Sequence, residues 1–252
     1  MNTIFHKIKN LKQGIAVLID PDKFVHRTDQ AIFLEKVNRL EPNFVFVGGS
    51  VIAKNDFESC VNNLRDSISC PIVIFPGRYD QVSHRADGIL VLSLLSGNNY
   101  DYIFGQHLLA AEEIEKSNIE TLPTAYILID GGIESAVQRV TGTDPINQSN
   151  KDLVKKTALA AKHLGMTSIY LDAGSGAKTT VDTDIVREAA SCGLPLIVGG
   201  GIRNIEIIRE MHENGANLVV IGNHLETNMH FFESLKNYKL ETKLKDSFQT
   251  HV

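Results

Sequence analysis

Three segments in the C-terminal third of the chain run through apolar residues and stop on glycine. They are Tyr170-Leu171-Asp172-Ala173-Gly174-Ser175-Gly176-Ala177, Ile197-Val198-Gly199-Gly200-Gly201-Ile202 and Val219-Val220-Ile221-Gly222-Asn223. Each reads as a buried parallel strand whose C-terminal end opens into a loop of bare backbone. Backbone N–H groups unshielded by side chains form an anion cradle, and three such endings in succession point to a phosphate. Glycine after a strand also serves simply to turn the chain, and one such ending alone would not distinguish the two.

Other residue types with chemical potential stand at further run ends. Asp20 follows an apolar run and opens Asp20-Pro21-Asp22-Lys23, while Ser50 closes Val47-Gly48-Gly49-Ser50. A carboxylate facing a hydroxyl is a hard-oxygen pair that suits Mg²⁺, with water and substrate phosphate filling the octahedron. The alternative is that Asp20 and Asp22 cap the first loop or helix, a frequent use of Asp-Pro-Asp. Asp172 lies at the entrance of a glycine loop, where a carboxylate can meet a substrate hydroxyl. Tyr170 is either ligand or core, since alternate strand residues point inward. The nine histidines show no metal-ligand spacing, and His107 is the one whose position, after Phe104-Gly105-Gln106, suggests a function.

These groups need a scaffold that brings run ends together. Eight apolar runs recur, over residues 15–19, 44–47, 72–75, 89–92, 125–129, 168–171, 196–198 and 218–221. Most are separated by stretches with a helical stripe, such as Ile205, Ile207, Ile208 and Met211 with Asn204 as N-cap and Gly215 as the break. Alternating strands and helices imply a parallel sheet, and eight units imply closure into an α/β barrel with its site at the C-terminal strand ends. The third connection, residues 76–88, lacks an apolar stripe, so its helix is expected to be degenerate. The fifth, from about 131 to 150, reads as a polar loop over the barrel mouth. The tail from about 231 is charged and reads as helical at first, then frayed. No linker or repeat divides the chain, so residues 1–252 are expected to form a single domain.

Composition is that of an ordinary globular protein, with 43% hydrophobic and 22% charged residues. A net charge of -5 without a dense Lys/Arg cluster argues against nucleic acid as a partner. Cys60, Cys70 and Cys192 fit neither a zinc pattern nor a disulfide framework, and read as buried thiols in a reducing cytoplasm. The N-terminus carries Lys7, Lys9 and Lys12 and no apolar signal core, and no run approaches the roughly 20 residues that span a bilayer. The expected location is cytoplasmic, with at most peripheral membrane contact.

Taken in order, the endings at Asp20–Lys23, 47–50, Phe75-Pro76-Gly77, Ser93-Leu94-Leu95-Ser96-Gly97, Gly105-Gln106-His107, 170–177, 198–203 and Gly222-Asn223 resemble the geranylgeranylglyceryl and heptaprenylglyceryl phosphate synthases. The likeness spans about residues 15 to 225, and the length is most similar to the longer-chain group. The resemblance implies a modified (β/α)8 TIM barrel that lacks the third helix. It implies a lipid-biosynthetic prenyltransferase that joins a polyprenyl diphosphate, expected to be geranylgeranyl, to the 3-hydroxyl of sn-glycerol 1-phosphate. It implies Asp20 and Ser50 as Mg²⁺ ligands. Tyr170, Leu171, Asp172, Ala173, Gly174, Ser175 and Gly176, with Gly200, Gly201, Gly222 and Asn223, would form the glycerol-phosphate site, and Tyr170 and Asp172 the catalytic pair. It also implies homo-oligomers, dimeric or hexameric. The family pattern reads Glu where this chain has Asp172, which reaches one methylene less far.

Two other readings compete. One is a different phosphate-binding barrel, an isomerase or aldolase, against which stands the absence of a lysine at a strand end; Lys23 lies beyond a turn. The other is a non-catalytic barrel that binds prenyl phosphates. The residues do not specify prenyl chain length.

Overall fold

The computed structural model describes residues 3–49, 52–222, 225 and 228–249, with 229 and 243–249 described by backbone alone. Eight parallel strands close into a barrel in sequence order. They are β1 (Gly14–Ile19), β2 (Phe44–Val47), β3 (Ile72–Ile74), β4 (Gly88–Leu94), β5 (Glu120–Leu128), β6 (Ser168–Asp172), β7 (Leu196–Gly199) and β8 (Leu218–Ile221). β8 pairs with β1 in register Gly14↔Leu218, which removes both sheet edges. All eight expected runs are strands; β5 begins at Glu120, five residues before its apolar run.

Period-two alternation divides each strand between two cores. Ala16, Phe44, Phe46, Val73, Leu90, Tyr126, Tyr170, Ile197 and Val220 fill the barrel. Ile15, Val17, Val45, Ile127, Ile169, Leu171, Val198 and Val219 face the helices outside. The outer layer comprises α2 (Pro21–Val25), α3 (Gln30–Leu40), α4 (Lys54–Ser67), α5 (Gln106–Ser117), α6 (Ala136–Thr141), α7 (Lys151–His163), α8 (Thr183–Ala190), α9 (Ile205–Glu213) and α10 (Met229–Gln249). Several of their starts carry the capping chemistry that orphan helix N–H groups require. Asn204 accepts from the Ile207 N–H, Asp182 from Asp184 and Asn150 from Leu153.

The barrel floor is sealed by α1 (Ile4–Asn10), an element the apolar runs did not announce. Ile4 and Ile8 are buried against the interior residues. The Glu120 carboxylate, at the start of β5, accepts from the N–H groups of Ile4 and Phe5 at 2.7 and 2.9 Å. A carboxylate there satisfies two orphan donors and complements the helix dipole.

The third connection has no helix, as expected. Residues 75–87 fold back by side-chain bonds, with the Gln81 amide donating to Gly49 O at 2.8 Å and accepting from the Gly77 N–H at 3.0 Å. The fifth connection departs from the expected loop: Ser135 caps a short helix, α6, within it. The tail also departs from expectation, since α10 stays helical to Gln249. Among the described residues no helix is long and apolar enough to cross a membrane.

α10 is tied to the barrel through a buried histidine. His212 on α9 lies 2.8 Å from the Tyr238 hydroxyl by Nδ1 and 3.0 Å from Gly14 O by Nε2. A carbonyl only accepts, so Nε2 carries the proton and Nδ1 accepts from Tyr238. Burial lowers the His212 pKa from 6.5 to about 4, partly opposed by the Gly14 bond. Between these values the unfolded chain binds a proton that the folded chain refuses, so stability present above pH 6.5 is lost as pH falls toward 4. The linked loss is on the order of 3 kcal/mol. Denaturant melts at pH 7 and pH 4.5 are expected to show this loss in the native protein and a smaller one in His212→Asn. Equal pH slopes in the two proteins would refute it.

Candidate active site

The C-terminal strand ends surround a cavity of about 670 Å³. Its centre is a carboxylate in an aromatic setting. Register pairs Tyr126 with Tyr170 and Leu128 with Asp172 across β5 and β6. Tyr170 and Asp172 therefore share the inner face with Tyr126, while Leu171 and Ala173 point outward into the helix-side core and do not line the cavity. The Tyr126 hydroxyl donates to Asp172 Oδ2 at 2.5 Å, and the Gly174 N–H donates to Oδ1 at 2.8 Å. The rings of Phe75, Tyr126 and Tyr170 pack mutually, with centroids 5.1 to 6.0 Å apart.

Burial raises the Asp172 pKa above its usual 3.8, and the bonds from Tyr126 and Gly174 pull it back. Burial, with the adjacent Asp172 charge, raises both tyrosines well above 10. The phenols are thus neutral donors at working pH, facing a carboxylate that picks up protons more readily than an exposed one.

The glycine endings meet on one side of this carboxylate. Gly174, Ser175, Gly176, Gly200, Gly201 and Gly222 all line the cavity. Gly199 leaves room for Tyr170, because a Cβ there would lie 2.5 Å from its hydroxyl. At Gly200, φ is +84°, and a Cβ would lie 2.7 Å from the N atoms of Ala173 and Gly174. The loops are fastened together: the Thr180 hydroxyl donates to Gly200 O at 3.0 Å, and the Arg203 guanidinium donates to Ala177 O at 2.7 Å. Such a fixed, amide-lined recess is suited to an oxyanion.

On the strand next to β8, Asp20 lines the cavity at the end of β1. Its Oδ1 accepts from the Asp22 N–H at 3.3 Å, so it caps α2, and Oδ2 is 3.7 Å from Lys23 Nζ. It also overhangs Gly49, where a Cβ would be 3.2 Å from Oδ1. Ser50 and Asn223, the other predicted ligands, lie outside the described residues. A second group, Asp22, His26 and Asp56, brings ligand atoms within 4.8 Å of one another, but on exposed or half-buried side chains. Lys23, Arg78, Arg139 and Arg203 add positive charge around the mouth.

Much of the remaining lining is apolar. With no helix after β3, part of the outward face of β4 opens on a branch of the cavity. Ile89, Val91, Val82, Ala110 and Ile114 line this branch. His107 lies within it, its Nε2 3.0 Å from the Ser93 hydroxyl, and burial lowers its pKa. Tyr126 and this apolar branch were missed at the level of sequence, while Arg203, within the 198–203 ending, was given no role. For the branch, the signal was present in the missing third helix.

A sequence profile of the PcrB family matches residues 6–240. A geranylgeranylglyceryl phosphate synthase of Flavobacterium johnsoniae is 43% identical over 90% of this chain and 93% of its own length. One from Korarchaeum cryptofilum is 36% identical over 89% and 92% respectively. The crystal structure of (S)-3-O-geranylgeranylglyceryl phosphate synthase from Thermoplasma acidophilum, in complex with sn-glycerol-1-phosphate, superposes with a TM-score of 0.84. It is 29% identical, covering 94% of this chain and 96% of that one. A thiamine phosphate pyrophosphorylase from Pyrococcus furiosus, 13% identical with a TM-score of 0.56, shares the fold alone.

The glycine geometry separates two substitutions. Gly200→Ala is expected to lower stability by about 1–3 kcal/mol, through a strained positive φ and a clash with backbone nitrogens, and to weaken binding of inorganic phosphate. Gly222→Ala, whose Cβ would meet nothing within 4 Å among the described residues, should stay within about 0.5 kcal/mol of the native protein. Chemical denaturation of both, with calorimetric phosphate titration, checks this. An unaltered Gly200→Ala would show that the recess is not held as described.

Proposed function

The chain belongs to the PcrB family, and from that premise we propose that it is a prenyltransferase making an ether bond between a polyprenyl diphosphate and the 3-hydroxyl of sn-glycerol 1-phosphate. The expected donor is geranylgeranyl diphosphate. The observation that carries the reading is the placement of Asp172 at the junction of an amide-lined recess and an apolar branch. One substrate is a small phosphate with a hydroxyl, and the other is a long hydrocarbon with a charged end. The cavity offers surfaces of both kinds, and they meet at one buried carboxylate.

In this reading the loops around Gly174–Gly176, Gly200, Gly201, Gly222 and Asn223 hold the glycerol's phosphate, so that its free hydroxyl points at Asp172. Binding at a fixed distance supplies much of the rate, since the hydroxyl is a weak nucleophile. The C–O bond between the prenyl C1 and its diphosphate breaks, and the electron pair leaves with the diphosphate. The glycerol oxygen bonds to C1, and its proton passes to Asp172. Tyr170 shapes the inner wall beside the reacting centre. Lys23 and Arg78, at the cavity rim, supply positive charge toward the leaving diphosphate.

Magnesium fits the rim. Asp20 presents a hard carboxylate toward the cavity at the β1 end, and Ser50 follows the Gly49 that it overhangs. Mg²⁺ held by Asp20 and Ser50 would stabilise the charge of the departing diphosphate. The capping bond of Asp20 does not conflict with this, because each carboxylate oxygen accepts more than one partner.

Self-association and a cytoplasmic location belong to the same proposal. The exposed Tyr100, Phe104 and Leu108, on the π-helical turn Asp101–Gly105 and its flanks, support a symmetric contact. The three free thiols support a reducing compartment.

A ladder of prenyl diphosphates incubated with labelled sn-glycerol 1-phosphate tests the activity. Ether product with stoichiometric diphosphate is expected, and lack of both would refute the proposal. Excess chelator and Asp20→Asn should each remove most turnover, and full activity in chelator would exclude the metal. Asp172→Asn should lower kcat by about 10² to 10⁴ while glycerol phosphate affinity measured by calorimetry stays nearly unchanged. Because burial raises the Asp172 pKa, kcat/KM should fall with acid along a limb centred above 3.8.

A further inference from the structure

We infer that Tyr126 is a positioning residue for Asp172: its phenol fixes the plane and direction of the carboxylate that receives the glycerol proton. The inference rests on the proposed function for its catalytic half, and on geometry alone for its structural half.

The geometry is unusually constrained for a single hydrogen bond. Tyr126 is 4% exposed, and its hydroxyl is 2.5 Å from Asp172 Oδ2. Its ring cannot drift, because it packs against Phe75 at 6.0 Å and Tyr170 at 5.6 Å. The second oxygen is held from a different direction by the Gly174 N–H at 2.8 Å. Two donors, one from β5 and one from the β6 loop, therefore determine the carboxylate's orientation. Gly200 closes a third side, since its Cβ would lie 2.8 Å from Oδ1.

Each carboxylate oxygen has two acceptor directions. With one taken on each, the free directions are those that the two protein donors leave open toward the cavity. A hydroxyl anchored by its own phosphate in the glycine recess meets a base whose aim is set before it arrives. The proton moves from that hydroxyl to Asp172, and Tyr126 keeps its own proton throughout. Its bond is stronger to the ionised carboxylate than to the neutral acid. It therefore favours the ionised form of Asp172 before transfer, at some cost in basicity, and the gain lies in alignment.

The electrostatic surroundings are simple. β5 brings Tyr126 to Asp172 and β6 brings Tyr170, whereas β7 brings Gly199 and Gly200 and the β6 loop brings Gly174. No cation opposes the carboxylate among the causes acting on it. Loss of the Tyr126 hydroxyl should then shift its titration in one direction only, upward.

Tyr126→Phe keeps the ring stack and removes only the hydroxyl. Selective ¹³Cγ-aspartate labelling, with Asp172 assigned through Asp172→Asn, reads the carboxyl titration by NMR without substrate. The expected result is a midpoint about one unit higher in Tyr126→Phe than in the native protein. In parallel, kcat should fall roughly 10- to 100-fold with the KM for glycerol phosphate nearly unchanged, the signature of lost alignment rather than lost binding. An unmoved midpoint, or a raised midpoint with native kcat, overturns the inference. A native protein that makes no ether product refutes the proposed function instead, while the carboxyl titration still decides whether Tyr126 holds Asp172.

Discussion

A carboxylate buried inside a β-barrel is costly unless donors meet it, and much of the inner architecture follows from Asp172 being met. Desolvation favours its neutral form, and the bonds from Tyr126 and Gly174 oppose that tendency. Those bonds exist only because β5 and β6 pair with Tyr126 opposite Tyr170, which puts Asp172 two residues further along the same inner face. A one-residue slip of either strand would turn Asp172 or Tyr126 into the helix-side core and leave its partner unpaired. Gly199 stands opposite Asp172 on β7, and its lack of a side chain leaves space for the Tyr170 phenol. A position that looks like part of a phosphate loop thus serves the packing of the aromatic cluster first.

The second determinant is the helix that is not there. In a regular barrel each strand's outer face is buried under a helix, so a cavity at the mouth stays confined to the strand ends. Here the short residue 75–87 loop, pinned by Gln81 to Gly49, leaves Ile89 and Val91 facing a cavity branch instead of a helix. α5 turns Ala110 and Ile114 toward that branch and leaves Leu108 and Leu109 in solvent. A π-helical turn precedes α5, and Tyr102 on it and His107 just after it both line the cavity. Deletion of one element thus converts a polar mouth into a cavity with an amide end and a hydrocarbon end.

How much of this could be read from the chain depended on whether the signal was local. The strands were legible because a buried parallel strand is a continuous apolar run, and the missing helix because residues 76–88 carry no stripe. The glycine endings and Asp172 were legible as features of one mouth, since parallel strands put all their C-terminal ends together. Leu171 and Ala173 fell inside a motif that reads as a unit, but the strand alternates, and only every second side chain faces the cavity. α1 and α6 were not visible because a short capped helix owes its stability to what it packs on, not to its own pattern. Tyr126 was hidden for a different reason. Its importance lies in a bond to a residue 46 positions away, and a lone tyrosine in an apolar run looks like any other core residue.

That last case bears on the shorter side chain at position 172. An aspartate cannot reach far from its own strand, so any group it serves must be brought to it. The structure does this from both sides: Tyr126 reaches in from β5, and Gly174 folds its N–H back from the loop that follows. A longer acid would swing on an extra torsion and need its aim fixed at the far end, whereas Asp172 is fixed close to the backbone by two short bonds. The rotational freedom given up is small, and the recess comes correspondingly close, since a Cβ at Gly200 would lie 2.7 Å from the N atoms of Ala173 and Gly174. The short acid, the tyrosine beside it and the bare backbone opposite form one steric solution, in which changing any member alters the distance that the other two must span.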